Sequence, residues 1–391
     1  MIIKKDETRH VRWWFVAILL VLPLVTVWNL VVGAMEPALF VMLGPSLTGV
    51  TRQAAPDWSL SGFLEGRLQA AVTARFLEAL PIRPFLVRLN NQLAFSLFGE
   101  VSVPGIMIGA KGQLVQMDYV NEYCARQSSF AETRANRMIP VLLDIQSFYR
   151  SRGAGFLYVI TPSKAAHLPE YFIDRVDCPS TALARAKMIP DYAERLRSAG
   201  VSILDAATLI HGMKGRYPVE LFPQGGIHWN SLAIALASLS MLGAINAQAG
   251  SEVLPPFAFD YTMGGPTWVD RDLAELINLM FAPVAYLTPK LSYKPSSPCD
   301  SNPARFIDAA VVGGSFMIGP AEVLAEIGCM SSLTMYSYLR LEQRGGVPFR
   351  VLESRHDLRH LRDVKLLLLE ENEASIGDSP HVDALHTLLT D

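Results

Sequence analysis

Two glycine-marked turns carry the residues of this chain best suited to chemistry. Ser315 follows the apolar run 307–312 and the pair Gly313-Gly314, and it precedes Phe316-Met317-Ile318-Gly319-Pro320 and the helical pattern 321–327. A run of this kind reads as a buried parallel strand that ends in a tight turn and hands over to a helix. A serine placed there sits at the carboxyl edge of a sheet, near a helix N-terminus whose free N–H groups can stabilise an oxyanion. Gly313 and Gly314 shape that turn. His228 stands in Phe222-Pro223-Gln224-Gly225-Gly226-Ile227-His228-Trp229-Asn230, just ahead of a second helical pattern. A histidine in such a loop titrates near neutral pH and can take the proton of a serine hydroxyl. Alone, the first stretch is an ordinary strand–turn–helix junction and the second a loop histidine with a structural hydrogen bond. Together they are two parts of a nucleophilic site. The α/β-hydrolase version is disfavoured, because G-x-S-x-G fails at Met317 and His228 precedes Ser315 in the chain.

The elements around these residues read as α/β. Residues 131–152 form an amphipathic helix, and Gly155–Ile160 is a buried strand ending in Thr161-Pro162-Ser163-Lys164. A helix at 181–199 with Pro190 inside it leads to a strand at 201–205. Residues 231–248 form an Ala-, Leu- and Ser-rich helix, and two further strands read at 333–339 and 364–369. Alternation of this kind predicts a three-layer architecture, a parallel sheet with helices on both faces. Upstream, residues 60–80 and 84–98 are helical in pattern, and 102–120 reads as a strand-rich patch with turns at Pro104-Gly105 and Gly109-Ala110-Lys111-Gly112. That Gly/Lys turn lacks the spacing of a phosphate loop.

With 391 residues, half of them hydrophobic and 18% charged, the chain can bury a large core. Its net charge of −3 carries no nucleic-acid footprint. The four cysteines, Cys124, Cys178, Cys299 and Cys329, form no C-x-x-C pair, so a zinc site is not expected, and no motif in the chain calls for a cofactor. In an oxidising compartment one or two disulfides could form, and spacing does not choose among the three full pairings.

Residues 1–12 are short and basic, and Trp13–Met35 follows without a charge, roughly 23 residues and enough to cross a hydrocarbon core. The positive flank stays on the cytoplasmic side, which places the rest beyond the membrane. The competing reading is a cleaved signal peptide ending at Val32-Gly33-Ala34, although the apolar run is longer than a usual one. The expected organisation is a tail at 1–12, an anchor at 13–35, a Pro/Gly-marked linker at 36–57 and one domain at 58–391.

These motifs resemble a known family. Gly313-Gly314-Ser315-Phe316 is similar to the GDSF nucleophile block of SGNH-type esterases, and His228-Trp229 to their D-x-H-W block. The order, histidine block first, resembles the alginate O-acetyltransferase J/X family, in which the SGNH motifs are permuted. Thr161–Lys164 resembles that family's P-[ST]-K strand end, and Gly109–Leu114 its GKDGWLF turn. Asp272-Leu273-Ala274 resembles its DLA segment, and Leu369–Glu373 its late strand ending in NE. Two positions depart from the pattern. Gly226 stands where the family's histidine-orienting aspartate is found, and Gly314 replaces the aspartate of GDSF. Asp270, Asp272 and Glu220 are the candidate substitutes for the first, and the sequence does not rank them.

The resemblance implies an SGNH (flavodoxin-like) fold and a periplasmic O-acetyltransferase held by one helix in a bacterial inner membrane. It also implies Ser315 as nucleophile, His228 as base, a polysaccharide acceptor and a membrane-bound O-acyltransferase partner. Lys164, Trp229 and Asn230 are the expected substrate contacts. The alternatives are a carbohydrate acetylesterase using the same residues, and a non-catalytic polysaccharide-binding or assembly protein that has lost the acid at Gly226. His356 and His360 read as a solvated charged face, and Glu370, Glu371 and Glu373 as partner contacts or caps.

Overall fold

A computed structural model describes residues 20–32, 35–50, 56–281, 286–295, 307–327, 330, 332–344 and 347–390. The chain divides into two compact units, Met1–Pro104 with Ala274–Pro283, and Gly105–Leu273 with Val284–Asp391. The helices read at 60–98 belong to the first of these units.

Among the described residues the second unit has eleven strands: β1 (Ile106–Ile108), β2 (Leu114–Gln116), β3 (Gly155–Thr161), β4 (Ile203–Asp205), β5 (Phe257–Gly264), β6 (Thr288–Pro295), β7 (Asp308–Gly313), β8 (Ser332–Ser337), β9 (Leu341–Arg344), β10 (Arg350–Val351) and β11 (Leu366–Asn372). Seven of them make the main sheet, in the order β10-β9-β8-β7-β11-β3-β4. The five from β8 to β4 run parallel, while β9 and β10 add an antiparallel edge. The sheet is thus mostly parallel, where the sequence predicts a purely parallel one. The reversal comes from the short turn after β8, where Tyr338 and Leu339 both take positive φ (52° and 54°). Successive positive φ values are what a tight hairpin between twisted strands requires. β1–β2 and β5–β6 are separate antiparallel hairpins. The patch at 102–120 is less strand-rich than expected, because Met117–Ala125 is a helix.

Strand side chains alternate between two buried layers. Phe156, Tyr158, Val312, Tyr336, Leu367 and Leu369 pack in one core with the helices Ser128–Arg150, Ala182–Ser198 and Pro380–Thr390. The residues between them, such as Leu157, Val159, Val311 and Leu368, are equally buried, and helices Ser231–Ala249 and Ile318–Ile327 pack against the strands on the opposite side. The result is the expected three-layer arrangement. Helix Ser231–Ala249 is apolar almost all round because it lies between the sheet, the β5–β6 hairpin and the helix after Ser315. It is the one described helix long and apolar enough to cross a membrane, and its burial explains that composition. Cys124 and Cys178 form a disulfide, and Cys299 and Cys329 lie outside the described residues.

The first unit is helical: Leu20–Val31, Leu60–Leu64, Arg67–Ala79 and Arg83–Phe98. The helix read at 60–80 is broken at Gly66, whose φ of +80° suits glycine and ends the first turn. Arg88 donates to the carbonyls of Pro45 (2.7 Å) and Ser46 (2.8 Å), and Asn91 to that of Ile277 (2.9 Å), so both are structural. Of the expected anchor 13–35, residues 20–31 are helical, while residues 13–19, 33 and 34 lie outside the described residues.

Candidate active site

β7 ends at Gly313 in the middle of the sheet, and Ser315 begins a short 3-10 turn that runs into helix Ile318–Ile327. Ser315 therefore stands at the carboxyl edge of a central parallel strand, where α/β proteins place their chemistry. His228 precedes helix Ser231–Ala249, whose first turn is capped by the Asn230 side chain accepting from the Ala233 N–H at 3.1 Å. The two side chains meet: His228 Nε2 and Ser315 Oγ are 2.7 Å apart.

The acid behind the histidine comes from Asp272. Its Oδ2 is 2.6 Å from His228 Nδ1, and its Oδ1 accepts from the backbone N–H groups of Ile227 (2.9 Å) and Leu273 (2.7 Å). A carboxylate held at both oxygens cannot swing away from the ring. With Nδ1–H donated to Asp272, Nε2 is left as the acceptor for the Ser315 hydroxyl proton. The side chains of His228 and Asp272 keep 14% and 20% of their surface exposed, and Ser315 is itself only partly buried.

Asp270, two residues earlier, faces elsewhere. It is fully buried, and its Oδ2 accepts from Thr267 N (2.9 Å), Thr267 Oγ1 (2.8 Å), Thr288 Oγ1 (2.8 Å) and Lys290 Nζ (3.1 Å). Glu220 is near the Tyr171 hydroxyl, 3.5 Å away, and its backbone carbonyl accepts from Asn230. Of the three candidate acids, Asp272 alone bonds His228 among the described residues.

Both glycine departures have a steric cause. A Cβ built on Gly226 would meet the Val269 carbonyl oxygen at 2.5 Å and the Asp270 carbonyl oxygen at 2.9 Å. A Cβ on Gly314 would meet the Tyr338 hydroxyl at 2.8 Å. The segment that delivers Asp272 thus occupies the space where an aspartate at 226 would begin. The Tyr286 hydroxyl bridges the two segments, donating to the Asp270 carbonyl and accepting from Gly225 N–H at 3.2 Å.

The expected substrate contacts lie inside the protein. Lys164 is fully buried, and its ammonium donates to the carbonyls of Pro223 (2.6 Å), Gln224 (3.1 Å) and Gly226 (2.8 Å). It fastens the histidine loop from behind, and burial pushes its pKa well below the usual lysine range. Trp229 is 1% exposed and donates its indole N–H to the Phe316 carbonyl at 3.0 Å, tying the histidine segment to the serine turn. Asn230, equally buried, is the helix cap. These three residues position the site, and none of them faces solvent.

The turn before the serine is also held from below. Glu370 Oε2 accepts from the Gly314 N–H at 2.6 Å and its Oε1 accepts from the Thr161 hydroxyl. The Gly314 N–H is therefore occupied and is not a free oxyanion donor. Gly313 has to be glycine here, since a Cβ would meet Glu370 Oε2 at 2.6 Å. Burial raises Glu370 to about 7, with the bonds from Thr161 and Gly314 and the nearby His228 pulling the other way. Glu371, on the opposite face, is likewise raised to about 7 by burial and accepts from Tyr158 Oη at 2.6 Å. Burial alone would raise Glu373, but His211 (2.8 Å) and Arg126 (3.0 Å) hold it down at about 2. All three carboxylates are interior, where the sequence reading places them at a partner surface or cap. His360 is partly buried and pairs with Asp308 at 3.2 Å, while His356 is exposed.

Tyr338 has no counterpart in the sequence reading. Its backbone N–H donates to the Gly313 carbonyl at 2.9 Å, and its left-handed φ turns the hydroxyl end against Gly314 and Ser315. Burial of the hydroxyl and the Glu370 charge raise its pKa, while hydrogen bonding with the Ser315 backbone and hydroxyl lowers it. The phenol therefore stays protonated at neutral pH. A tyrosine in Tyr338-Leu339-Arg340 carries no glycine or asparagine signal for a positive-φ turn, so only the fold brings it to the serine.

No family model and no curated protein matches the sequence. Among solved structures, the chain is similar to the O-acetyltransferase domain of Pseudomonas putida AlgJ, with 15% identity and a TM-score of 0.46, covering 73% of this chain and 99% of that one. It is similar to Pseudomonas aeruginosa AlgX, with 12% identity and a TM-score of 0.46 over 71% and 67% of the two chains. Bacillus cereus PatB1 follows, with 10% identity and a TM-score of 0.42 over 71% and 98%. AlgJ and AlgX, to which the chain is similar in structure, are members of the family that its motifs resemble.

Proposed function

We propose that this chain is a membrane-anchored O-acetyltransferase that modifies an exopolysaccharide in the periplasm through an acetyl-serine intermediate. The observation that carries the reading is the continuous hydrogen-bonded series from Ser315 through His228 to Asp272, 2.7 and 2.6 Å at its two links. It is the arrangement a serine nucleophile requires, and an intact acid disfavours a degenerate, non-catalytic site. The acetyl and polysaccharide parts of the reading rest on the motif resemblance.

In the first half-reaction, Ser315 Oγ attacks the acetyl carbonyl carbon of the donor while its proton passes to His228 Nε2. The carbonyl oxygen becomes an oxyanion beside the Tyr338 hydroxyl and the Ser315 N–H; the N–H is bonded to that hydroxyl in this structure and would exchange it for the oxyanion. Collapse of that intermediate breaks the donor's ester bond, and the leaving oxygen takes the proton from His228. In the second half, a sugar hydroxyl gives its proton to His228 and attacks the acetyl-serine. The acetylated sugar leaves and Ser315 recovers the proton. Asp272 remains ionised throughout and stabilises the imidazolium.

The uncharged run 13–35 behind a basic tail supports an inner-membrane anchor with the catalytic unit outside. The Cys124–Cys178 disulfide supports an oxidising compartment. A membrane-bound O-acyltransferase would supply acetyl groups from the cytoplasm.

The test is incubation of the full chain with an acetyl-ester reporter, followed by mass spectrometry of the peptide containing Ser315. One acetyl adduct on that peptide is expected, and none in Ser315→Ala at unchanged thermal stability. Turnover at wild-type level in folded Ser315→Ala would remove the serine from the mechanism. Adding acceptor glycans then separates transfer from hydrolysis: an esterase releases acetate at the same rate with or without them.

A further inference from the structure

The exposed apolar surface of this protein is unevenly placed. Of the 31 large hydrophobic side chains exposed among the described residues, 24 lie between Leu20 and Phe98. They form stripes. On helix Arg83–Phe98, Leu86, Leu93 and Leu97 recur at helical spacing and are 49%, 50% and 68% exposed. On helix Leu60–Leu64, Leu60, Phe63 and Leu64 are more than half exposed, with Trp58 beside them at 78%.

Asn29 says what covers this surface. It sits inside the uncharged run 13–35, six residues before its end, yet it is 1% exposed. Its amide donates to the carbonyls of Val41 (2.8 Å) and Ala79 (2.9 Å), and its oxygen accepts from Val41 N–H (2.8 Å). A polar amide within a membrane-spanning stretch is thus satisfied by the chain that follows it. The described helix of this run, Leu20–Val31, ends two residues beyond Asn29, so Asn29 belongs to the helix itself and not to the chain after it. Ala79, the last residue of helix Arg67–Ala79, is therefore hydrogen-bonded to a residue inside the uncharged run. Helices lying in a membrane interface insert their apolar faces about 5–10 Å.

We propose that the helices between residues 60 and 98 form a collar embedded in the outer leaflet around the end of the anchor, with lipid acyl chains against their exposed apolar stripes. This inference rests on the anchored reading given above. In that setting the apolar stripes meet hydrocarbon and Trp58 lies at the level of the headgroups. A second protein would be the alternative occupant.

The test is full-length chain reconstituted in vesicles of phosphatidylcholine and phosphatidylglycerol that hold a bilayer-dissolved diazirine photolabel, with adducts mapped by peptide mass spectrometry. Adducts are expected in peptides covering 20–31 and, equally, in those covering Phe63 and Leu93–Phe98. As insertion of an apolar face into the acyl boundary implies, their yield should be about tenfold or more above that at the exposed Leu183 and Val351. Adducts confined to 20–31 would overturn the collar while leaving the anchor, and would leave the face to a protein partner. Adducts at neither segment would overturn the anchored reading itself. Equal labelling at Leu183 and Val351 would show that the label reports apolar surface in general, which also removes the collar.

Discussion

The Cα of Gly226 lies so near the Val269 carbonyl that an added Cβ would stand 2.5 Å from that oxygen. This contact accounts for an acid that sits 44 residues after the histidine it serves. Where related motifs carry the aspartate two residues before the histidine, this chain fills the space with the backbone of a later segment, and that segment brings its own carboxylate to the ring. The two features exclude one another sterically, so Gly226 and Asp272 form a single solution to the orientation of His228.

Replacement of the acid should separate Asp272 from its neighbour. Asp272→Asn is expected to lower turnover of an acetyl-ester reporter by about 10⁴-fold, because the amide favours the wrong imidazole tautomer. Asp270→Asn should leave turnover within a few-fold and instead lower the thermal midpoint, since it disturbs the bonds to Thr267, Thr288 and Lys290. Gly226→Asp should not restore activity to Asp272→Asn, and should cost about 1–3 kcal/mol through overcrowding. Kinetics and melting curves on the three variants decide this; equal activity in Asp272→Asn and wild type would exclude the acid role.

Tyr338→Phe removes one hydroxyl beside Ser315 and nothing from the fold's core. Loss of an oxyanion donor predicts a fall in kcat of about 10²-fold with little change in KM. A hydroxyl that merely packed against Gly314 would leave kcat untouched, and steady-state kinetics would then rule out its part in the reaction.

Lys164→Met should weaken the protein and the site together. The substitution keeps most of the side chain's length but leaves the carbonyls of Pro223 and Gly226 without their buried donor, while that of Gln224 keeps the Leu114 N–H at 2.9 Å. About 1–3 kcal/mol is expected for each buried group left unpaired, partly offset by removing a buried cation. Denaturant unfolding measures the loss. A variant as stable as wild type would mean that the loop is held by Tyr286 instead.

The buried carboxylates set the direction of pH dependence. Glu370 and Glu371 titrate near 7 in the fold, above the ordinary value of 4.5, so the native state holds more protons than the unfolded one between these pH values. Stability contributed by these two groups therefore falls as pH rises from about 4.5 through 7. Glu373, held at about 2, acts in the other direction: its contribution is present above 4.5 and lost as pH falls toward 2. The thermal midpoint should climb from pH 8 to about 5 and fall below about 4. Glu371→Gln, whose amide oxygen can still accept from Gly377 and Ser379 while its amide N–H donates to Tyr158 Oη, should flatten the upper slope; an unchanged slope would place that titration elsewhere.

The strands that hold the site are legible because their buried runs are continuous: 155–161, 308–313 and 366–372 contain little besides apolar residues until their carboxyl ends. Ser315 and His228 stand out because each follows paired glycines. Choosing Asp272 over Asp270 requires a register the sequence does not carry. Asp272 opens a helical turn that faces His228, whereas Asp270 closes a 3-10 turn and bonds toward β6. Lys164 misleads in the opposite sense, since a charged residue at a strand end reads as solvent-facing until three carbonyls are found around its ammonium. The first unit's apolar stripes read as ordinary amphipathic helices, and only their exposure in the fold distinguishes them.

β11 runs through the middle of the parallel sheet, between β7 and β3, yet it is the last strand to be synthesised. Until residues 366–372 have emerged, the strand that carries the serine and the strand that ends at Lys164 have no edge in common. The pairing that unites them joins residues such as Tyr158 and Leu369, 211 positions apart, and contacts so distant form late. The turn that holds Ser315 and the strand that leads to Lys164 are therefore brought together only by the last strand of the chain, so the surroundings of the serine are the last part of the sheet to be completed.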